Sequence, residues 1–356
     1  MEIDLEAKQR VNFTSDGILL SPRDVGTLLA AIASEREVAI DQYACGGIVE
    51  ELEQTFAADL GKERALYLPT GTLANHLAIR RLAGSGGRVF VQAESHVGRD
   101  SGNALGVLSQ LTPIPLGLGR HDFSLAEFEL ALARNAEEKV QVMAQVLSIE
   151  SPVRRFEGQC FDPDELQRVI ALARKSGLKL HRDGARLHFE AAWRRTSVKE
   201  LAAPFDTVYC SLHKAFNATC GAVLAGPAHV IDDLHHTRRM FGGSPAHAWP
   251  QAAIALHFQR GFEERMAKAV QRSEEFLVAL SRLPGFELQR LDNSSHVTPV
   301  HLTGIDGALL KERLEPLGIL VPCTSDQSTI QLRTNESILH RPLEELVQAF
   351  LVASKS

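Results

Sequence analysis

The sequence predicts an α/β fold in which a mostly parallel sheet, covered by helices on both faces, is followed by a smaller α/β unit. Two observations carry this prediction. Between residues 64 and 226, short apolar runs alternate with helical patterns, an order that is typical of parallel strands joined by helical crossovers. After Gly243 the pattern changes to one long helical stretch and then to shorter strands and helices. This change indicates a second unit of roughly seventy residues at the end of the chain.

The first part of the chain supplies the candidate strands of the large sheet. They lie at residues 64–69, 87–93, 140–149, 178–183, 206–213 and 221–226. The best-marked helix is expected over residues 162–177. Asp162 is a plausible N-cap, Pro163 suits the first helical position, Glu165 is placed to complete a capping box, and Gly177 ends the helix.

We divide the chain into four segments on these patterns. They are an N-terminal arm over 1–40, a large domain over 41–245, a connecting long helix over 246–283, and a small C-terminal domain over 284–356. The connecting stretch holds at most one break. The small domain is expected to combine strands near 286–291, 297–302 and 329–334 with helices over 307–318 and 342–354.

Composition excludes several classes of protein. The net charge of −6 provides no basic surface for nucleic acid or acidic membranes. No apolar run approaches the roughly 20 residues of a spanning helix, and the charged start MEIDLEAKQR lacks the apolar region of a secretory signal. Five cysteines, with no CxxC and no His/Cys metal spacing, favour free thiols in a reducing cytoplasm. We therefore expect a cytoplasmic protein that binds no metal, nucleic acid or membrane.

A first candidate site is Thr70-Gly71-Thr72, between the strand at 64–69 and a helix. Backbone N–H groups and two hydroxyls at a helix N-terminus form a site for an anion such as phosphate. The motif fits neither a P-loop nor a G-x-G-x-x-G pattern, so a nucleoside triphosphate or a dinucleotide is not favoured.

Two further candidates follow strands of the same sheet. Asp183 ends the strand at 178–183 and precedes a glycine turn and Arg186, and Lys214 follows the strand at 206–213. The carboxyl ends of strands are where an open α/β sheet binds ligands. Each motif alone has an ordinary explanation, as a helix cap, a turn residue or a lysine at a strand end. Together they predict one ligand-binding crevice.

Pyridoxal phosphate is the ligand that requires all three groups. It has a phosphate to anchor, an aldehyde that joins a lysine as a Schiff base, and a ring nitrogen that a carboxylate keeps protonated. We therefore assign the Schiff base to Lys214, the ring nitrogen to Asp183 and the phosphate to Thr70, Gly71 and Thr72.

Four blocks of the sequence, YLPTGTLANHLAIR, ESHV, LHRDGARLHFEAA and SLHKAFNATCGAVLAG, resemble those of the threonine aldolase and β-eliminating lyase family. The resemblance runs from about Asn12 to Arg333 and implies the fold-type-I architecture of pyridoxal-phosphate enzymes, with a seven-stranded large sheet. It implies that His96 stacks on the cofactor ring and serves as an acid or base. It also implies that Ser15, Arg186 and Arg333 hold the substrate carboxylate.

Three segments depart from the family pattern. The family's YGxD reads YACGG at 43–47, its ENTHN block reads ESPVRR at 150–155, and its GGGMRQ block reads GGSPAHAW at 242–249. The second active-site histidine is therefore absent, as is the arginine that reaches the cofactor phosphate of a neighbouring subunit. His247 is not assigned as its replacement.

The leading hypothesis is a pyridoxal-phosphate-dependent aldolase that cleaves a threonine-like β-hydroxy-α-amino acid into glycine and an aldehyde. Two alternatives stay open. One is β-elimination or another reaction that begins with removal of the Cα proton by Lys214. The other is a binding protein that keeps the fold without turnover. The resemblance also implies a homodimer or homotetramer, and the sequence leaves the aldehyde and the stereochemical preference undetermined.

Overall fold

A computed structural model of the chain describes residues 3–84, 86–137, 139–140 and 142–355. Its strands are β1 (Val11–Asn12), β2 (Arg64–Leu68), β3 (Arg88–Gln92), β4 (Thr112–Leu116), β5 (Ala144–Glu150), β6 (Lys179–Asp183), β7 (Thr207–Ser211), β8 (Ala222–Gly226), β9 (Phe286–Leu288), β10 (Val297–Leu302), β11 (Ile319–Leu320) and β12 (Thr329–Arg333).

The helices alternate with these strands. They are α1 (Pro22–Glu35), α2 (Gly47–Asp59), α3 (Gly71–Ala83), α4 (His96–Arg99), α5 (Ala104–Ser109), α6 (Leu125–Ala136), α7 (Pro163–Lys175), α8 (Leu187–Arg194), α9 (Val198–Ala202), α10 (Ala228–Ile231), α11 (Leu234–Met240), α12 (Trp249–Gln259), α13 (Phe262–Leu280), α14 (Gly307–Leu314) and α15 (Leu343–Ala353). Short 3-10 turns cover Glu6–Gln9, Arg154–Phe156, Glu315–Leu317 and Glu336–His340. Within the described ranges, no helix is both long and apolar enough to cross a membrane.

The large sheet has seven strands in the order β2-β8-β7-β6-β5-β3-β4. Strand β8 runs antiparallel to both neighbours, and every other pairing along β7-β6-β5-β3-β4 is parallel. The carboxyl ends of the parallel strands therefore meet at one edge, which is where the predicted ligand-binding motifs lie. The predicted α/β fold with a mostly parallel sheet and a smaller C-terminal unit is confirmed.

The C-terminal unit is built on a three-stranded antiparallel sheet in the order β12-β10-β9. The N-terminal segment joins this part of the chain, because β1 pairs in parallel with β11. Phe13, just after β1, stacks on Phe276 with ring centroids 5.8 Å apart and meets Phe350 edge-on at 6.4 Å. The four-segment division of the chain remains a prediction.

The structure adds detail to three local predictions. The connecting stretch, for which we expected at most one break, is two helices, α12 and α13, separated where Gly261 adopts a φ of 69°. Asp162 does cap α7 by accepting from the Glu165 amide at 2.9 Å, but the predicted capping box is wrong. The Glu165 side chain accepts instead from the Leu125 amide, since a tertiary partner outcompetes the local one. Of the predicted strand 140–149, Gln141 lies outside the described residues and the strand begins at Ala144.

Strand β6, which ends at Asp183, is fixed by a buried ion pair. Arg182 donates to Glu190 on α8 at 2.5 Å, and the two side chains are only 1% and 2% exposed. Glu190 also accepts from the Ser151 hydroxyl at 3.0 Å, and Arg182 donates to the Leu201 carbonyl at 2.9 Å. Buried charges require partners of this kind, so the pair sets the position of α8 against the sheet.

Replacement of Glu190 tests this constraint. We expect Glu190→Ala to lower the free energy of unfolding by about 3–5 kcal/mol, because it leaves the Arg182 charge buried without a counter-ion. Urea denaturation measures the change. The matched control is Glu264→Ala, which removes the exposed partner of Lys268 and should change stability little. Equal effects of the two variants would contradict the assignment.

Candidate active site

A cavity of about 600 Å³ opens at the carboxyl ends of β5, β6 and β7 and the N-terminus of α3. A second cavity of about 470 Å³ adjoins it. The two share a wall of Arg154, Arg186, His213, Lys214 and Thr219. The structure brings all nine predicted site residues to this pair of cavities. The first is lined by Thr70, Gly71, Thr72, His96, Asp183, Arg186 and Lys214, and the second by Arg186, Lys214, Ser15 and Arg333.

The start of α3 forms a cradle for an anion. Thr70 is the N-cap, and its hydroxyl accepts from the Leu73 amide at 3.2 Å, while the first amides of a helix have no acceptor within the helix. Gly71 must lack a side chain, since a Cβ there would lie 1.9 Å from the Tyr209 hydroxyl oxygen. The backbone can therefore approach a phosphate closely, which fits the predicted role.

Asp183 is buried at the end of β6 and is held by uncharged donors. The Asn75 amide donates to one carboxylate oxygen at 2.5 Å, and the Ala185 N–H donates to the other at 3.2 Å. The Asn75 carbonyl oxygen in turn accepts from Nε2 of His181 at 2.9 Å, and burial lowers the pKa of His181 to about 4. The neutral donors orient Asp183 and leave its negative charge available to a cation in the cavity, such as a protonated ring nitrogen.

Lys214 presents its amine to both cavities. Its Nζ lies 3.5 Å from the Ser211 hydroxyl oxygen, a long contact for a hydrogen bond. Burial, together with the nearby charge of Arg186, lowers the pKa of Lys214 from its usual 10.5 to about 8. At a given pH near neutrality, much more of this side chain is therefore an uncharged amine than of an ordinary lysine, as a Schiff-base lysine requires.

Arg186 is oriented by a carboxylate from the N-terminal segment. Asp16 accepts from Arg186 at 2.8 Å and from Nε2 of His296 at 3.0 Å. Burial alone would raise the pKa of Asp16, but Arg186 and His296 outweigh it and hold that pKa well below its ordinary value. This bond uses one edge of the planar Arg186 guanidinium, and it thereby fixes the direction of the remaining N–H groups.

The other two predicted carboxylate ligands are less strongly held. Arg333 is half-buried, donates to the Gln331 side chain at 3.2 Å, and has its pKa lowered by burial. The Ser15 hydroxyl accepts from the Asn12 amide at 2.7 Å and donates to the Gly17 carbonyl at 3.2 Å. In this arrangement the Ser15 hydroxyl proton is directed to its own turn and not into the cavity.

His96 begins α4 and is tied to a buried carboxyl group. Glu150, at the end of β5, accepts from the His96 amide through one oxygen and from the Arg154 amide at 2.9 Å through the other. Burial and the charge of Asp183 raise the pKa of Glu150 to about 7. These bonds fix the backbone of His96 while its imidazole lines the first cavity.

Sequence reasoning missed Asn75, His181 and Asp16 as part of this site. His181 lies two positions before Asp183 in a strand, so period-two alternation places both on one face. Asp16 directly follows Ser15 in the FTSDG block. No local pattern pointed to His296. In the described ranges, no three His, Cys, Asp or Glu side chains are grouped so that they could hold a metal ion.

The fold and this set of side chains define an enzyme class, that of pyridoxal-phosphate enzymes of fold type I. The phosphate cradle, the oriented carboxylate and the amine of lowered pKa match the three groups of this cofactor. Comparison with known sequences then gives the family. A sequence model of the β-eliminating lyases matches residues 27–303, and the chain belongs to this family. The predictions of family, lyase class and cofactor are confirmed.

Among sequence relatives, a low-specificity L-threonine aldolase of Saccharomyces cerevisiae is 30% identical over 207 residues, which are 58% of this chain and 53% of that protein. A Schizosaccharomyces pombe relative, named a probable low-specificity L-threonine aldolase, is 26% identical over 85% of this chain and 81% of its own length. The match with the first relative thus spans about half of that protein.

Solved structures share the fold. A Listeria monocytogenes protein proposed to be an L-allo-threonine aldolase superposes with a TM-score of 0.79 at 23% identity, covering 98% of this chain and 97% of that one. A structure of SPT with pyridoxal phosphate superposes with a TM-score of 0.69 at 19% identity, covering 97% and 87% of the two chains.

Asn75 offers a test of the site's geometry. We expect Asn75→Ala to weaken cofactor affinity by about 10–100-fold, because it removes a charge-assisted hydrogen bond that orients Asp183. Titration of the cofactor-free protein with pyridoxal phosphate, followed by absorbance, measures the loss. Asn75→Leu removes the same donor but keeps a side chain of similar size. We expect it to weaken cofactor affinity as much as Asn75→Ala does, which would show that the loss comes from the missing hydrogen bond and not from the missing volume. Wild-type affinity in both variants would remove Asn75 from the site.

Proposed function

We propose that this protein is an aldolase that cleaves a threonine-like β-hydroxy-α-amino acid into glycine and an aldehyde. The observation that carries the proposal is the position of Lys214, whose amine lies in the wall between the cofactor cavity and the cavity lined by Arg186 and Arg333. An amino acid bound beside Lys214 would therefore have the guanidinium groups of the second cavity near its carboxylate. The relatives named low-specificity L-threonine aldolases support this assignment.

Four groups of this chain would hold the cofactor. The start of α3 would bind the phosphate, His96 would contact the ring, Asp183 would accept from the protonated ring nitrogen, and Lys214 would provide the amine of attachment. When bound, pyridoxal phosphate supplies an electron sink for the bond that breaks at Cα of the substrate.

The arginines select which bond breaks. Arg186 is held by Asp16, so its free N–H groups present a fixed fork to the substrate carboxylate. Arg333 adds a second guanidinium, and Ser15 lines the same cavity. Fixing the carboxylate in one place would limit the rotation of the substrate about its Cα–N bond, and so would select which bond at Cα can break.

His96 is the proposed base. Its imidazole lines the cavity on the side of Glu150 and would take the proton from the β-hydroxyl oxygen as the Cα–Cβ bond breaks. General base catalysis of this kind contributes roughly 10²–10⁴-fold to a rate. The bonds from Glu150 to the His96 and Arg154 amides hold this wall of the cavity in place.

A second candidate reaction is β-elimination. The lowered pKa of Lys214 favours it, because an amine that is about half uncharged near pH 8 can remove the Cα proton itself. Elimination from L-threonine gives 2-oxobutanoate and ammonia, whereas aldol cleavage gives acetaldehyde and glycine. A product assay with L-threonine therefore separates the two reactions, and detection of neither would favour a non-catalytic binding protein.

We also propose that the active enzyme is a homodimer or homotetramer in the cytoplasm. The resemblance to the threonine aldolase and β-eliminating lyase family supports the oligomer, and the free cysteines support the compartment.

The Lys214→Ala variant tests the whole scheme. We expect it to lose covalent cofactor attachment and all acetaldehyde release from L-threonine, because no amine remains for the cofactor aldehyde. Lys268→Ala, on the exposed face of α13, is the matched control and should retain wild-type activity. Turnover by the Lys214 variant would overturn the assignment.

The pH dependence of cofactor attachment tests the lowered pKa. Only the uncharged amine attacks an aldehyde, so the attachment rate should rise about tenfold per pH unit below 8 and level off above it. Absorbance growth after mixing cofactor-free protein with pyridoxal phosphate gives the rate. Free lysine in place of the protein is the control, and its rate should continue to rise toward pH 10. A protein profile that follows free lysine would contradict the prediction.

A further inference from the structure

Arg154 stands where the two cavities meet, on the His96 side. It follows β5, and its amide is bound by Glu150 at 2.9 Å, so the backbone at this position is fixed. Its side chain lines both cavities. Other residues are assigned above to bind the cofactor and the substrate α-carboxylate, so the Arg154 guanidinium has no assigned role.

The Arg154 guanidinium shares its carboxylate partner with a second arginine. Asp100, which ends α4, pairs with Arg154 through one oxygen and with Arg155 at 2.6 Å through the other. Two guanidinium groups on one carboxylate leave a net positive charge. Arg154 is 48% exposed, so its remaining N–H groups face the open cavity.

Three arginines line the two cavities, at positions 154, 186 and 333. Arg186 pairs with Asp16, and Arg154 shares Asp100 with Arg155. The other two carboxyl groups of the first cavity, Glu150 and Asp183, accept from the uncharged donors described above. A substrate α-carboxylate held by Arg186 and Arg333 therefore leaves the free N–H groups of Arg154 available to a second carboxylate.

We propose that Arg154 binds a second carboxylate on the β-substituent of the substrate, so that the preferred substrates are β-hydroxy-α-amino diacids such as 3-hydroxyaspartate. The proposal rests on the aldolase function proposed above. Arg154 reaches the cavity from the His96 side. The residues assigned to the α-carboxylate approach from elsewhere: Arg186 follows β6, Arg333 ends β12, and Ser15 lies in the N-terminal segment. An α-carboxylate and a β-carboxylate would thus contact guanidinium groups on different walls.

The reaction with such a substrate balances without a further reactant. The Cα–Cβ bond of 3-hydroxyaspartate breaks, the β-hydroxyl proton passes to the base, and Cα takes up one proton. The products are glycine and glyoxylate, and the second carboxylate stays with the aldehyde fragment throughout. Arg154 therefore binds a group that does not change in the reaction, which makes it a specificity determinant.

Equilibrium binding to the holoenzyme tests the proposal without requiring cleavage. L-Aspartate and L-asparagine have the same shape and differ by one charge, and neither carries a β-hydroxyl group. We expect calorimetry to show that wild-type protein binds aspartate at least about tenfold more tightly, because a charge-assisted bond is gained. Arg154→Gln should abolish this preference and leave asparagine affinity unchanged, and Arg154→Lys should retain part of it.

Arg155→Gln is the matched control. It removes a guanidinium from the same Asp100 carboxylate but from a residue outside both cavity linings, so the aspartate preference should persist. Equal losses for aspartate and asparagine in Arg154→Gln would mean that Arg154 serves the α-carboxylate and would overturn the proposal. So would wild-type behaviour of that variant, and so would equal losses in the two glutamine variants.

A separate assay keeps this proposal apart from the proposed function. Glycine release from 3-hydroxyaspartate is measured for the same proteins. If the charge preference depends on Arg154 but no glycine forms, the binding inference stands and the aldolase function fails. If threonine is cleaved and aspartate is bound no better than asparagine, the aldolase function stands and the inference about Arg154 fails.

Discussion

A buried carboxyl group is the constraint on which the rest of this structure depends. Asp183 lies at the end of a central strand with almost no exposure to solvent, and burial of such a group costs free energy unless hydrogen bonds replace those lost to water. Asn75 and the Ala185 amide supply hydrogen bonds without supplying charge. Helix α3 must therefore pass over the carboxyl end of β6, and the same helix N-terminus provides the anion cradle. The position of α3 thus provides both the hydrogen bond to Asp183 and the cradle for the phosphate.

The arginines show a related use of charge. Arg182 and Arg186 flank Asp183 in sequence, yet one is sealed in the core with Glu190 while the other lines the cavities beside Asp16. Alternation along β6 and the turn after it sends the two side chains to opposite environments. The buried guanidinium of Arg182 holds the sheet against α8, whereas the guanidinium of Arg186 keeps N–H groups that can bind a ligand. The surroundings of each side chain therefore determine whether its role is structural or ligand-binding.

Much of this site could be predicted from the sequence, because the residues assigned to the cofactor lie at or directly after the ends of strands. Asp183 and Lys214 each end or follow an apolar run, so the parallel arrangement alone brings them to one edge. The contacts that orient the site residues could not be predicted. Asn75 is 108 positions from Asp183, and Asp16 is 280 positions from His296, and no local pattern encodes which distant residues meet. Strand β4 was missed for a different reason: it contains Pro113 and Pro115, which only an edge strand tolerates.

The link from Asp16 to Arg186 and His296 joins the beginning, middle and late parts of the chain. β1, just before it, needs β11 at residues 319–320 as its pairing strand. This segment therefore cannot reach its final position until β11 has been made. The residues assigned to the cofactor lie within 70–214 and do not include this segment. The side of the site assigned to the substrate carboxylate thus depends on contacts between distant parts of the chain, whereas the cofactor side is encoded in one continuous stretch.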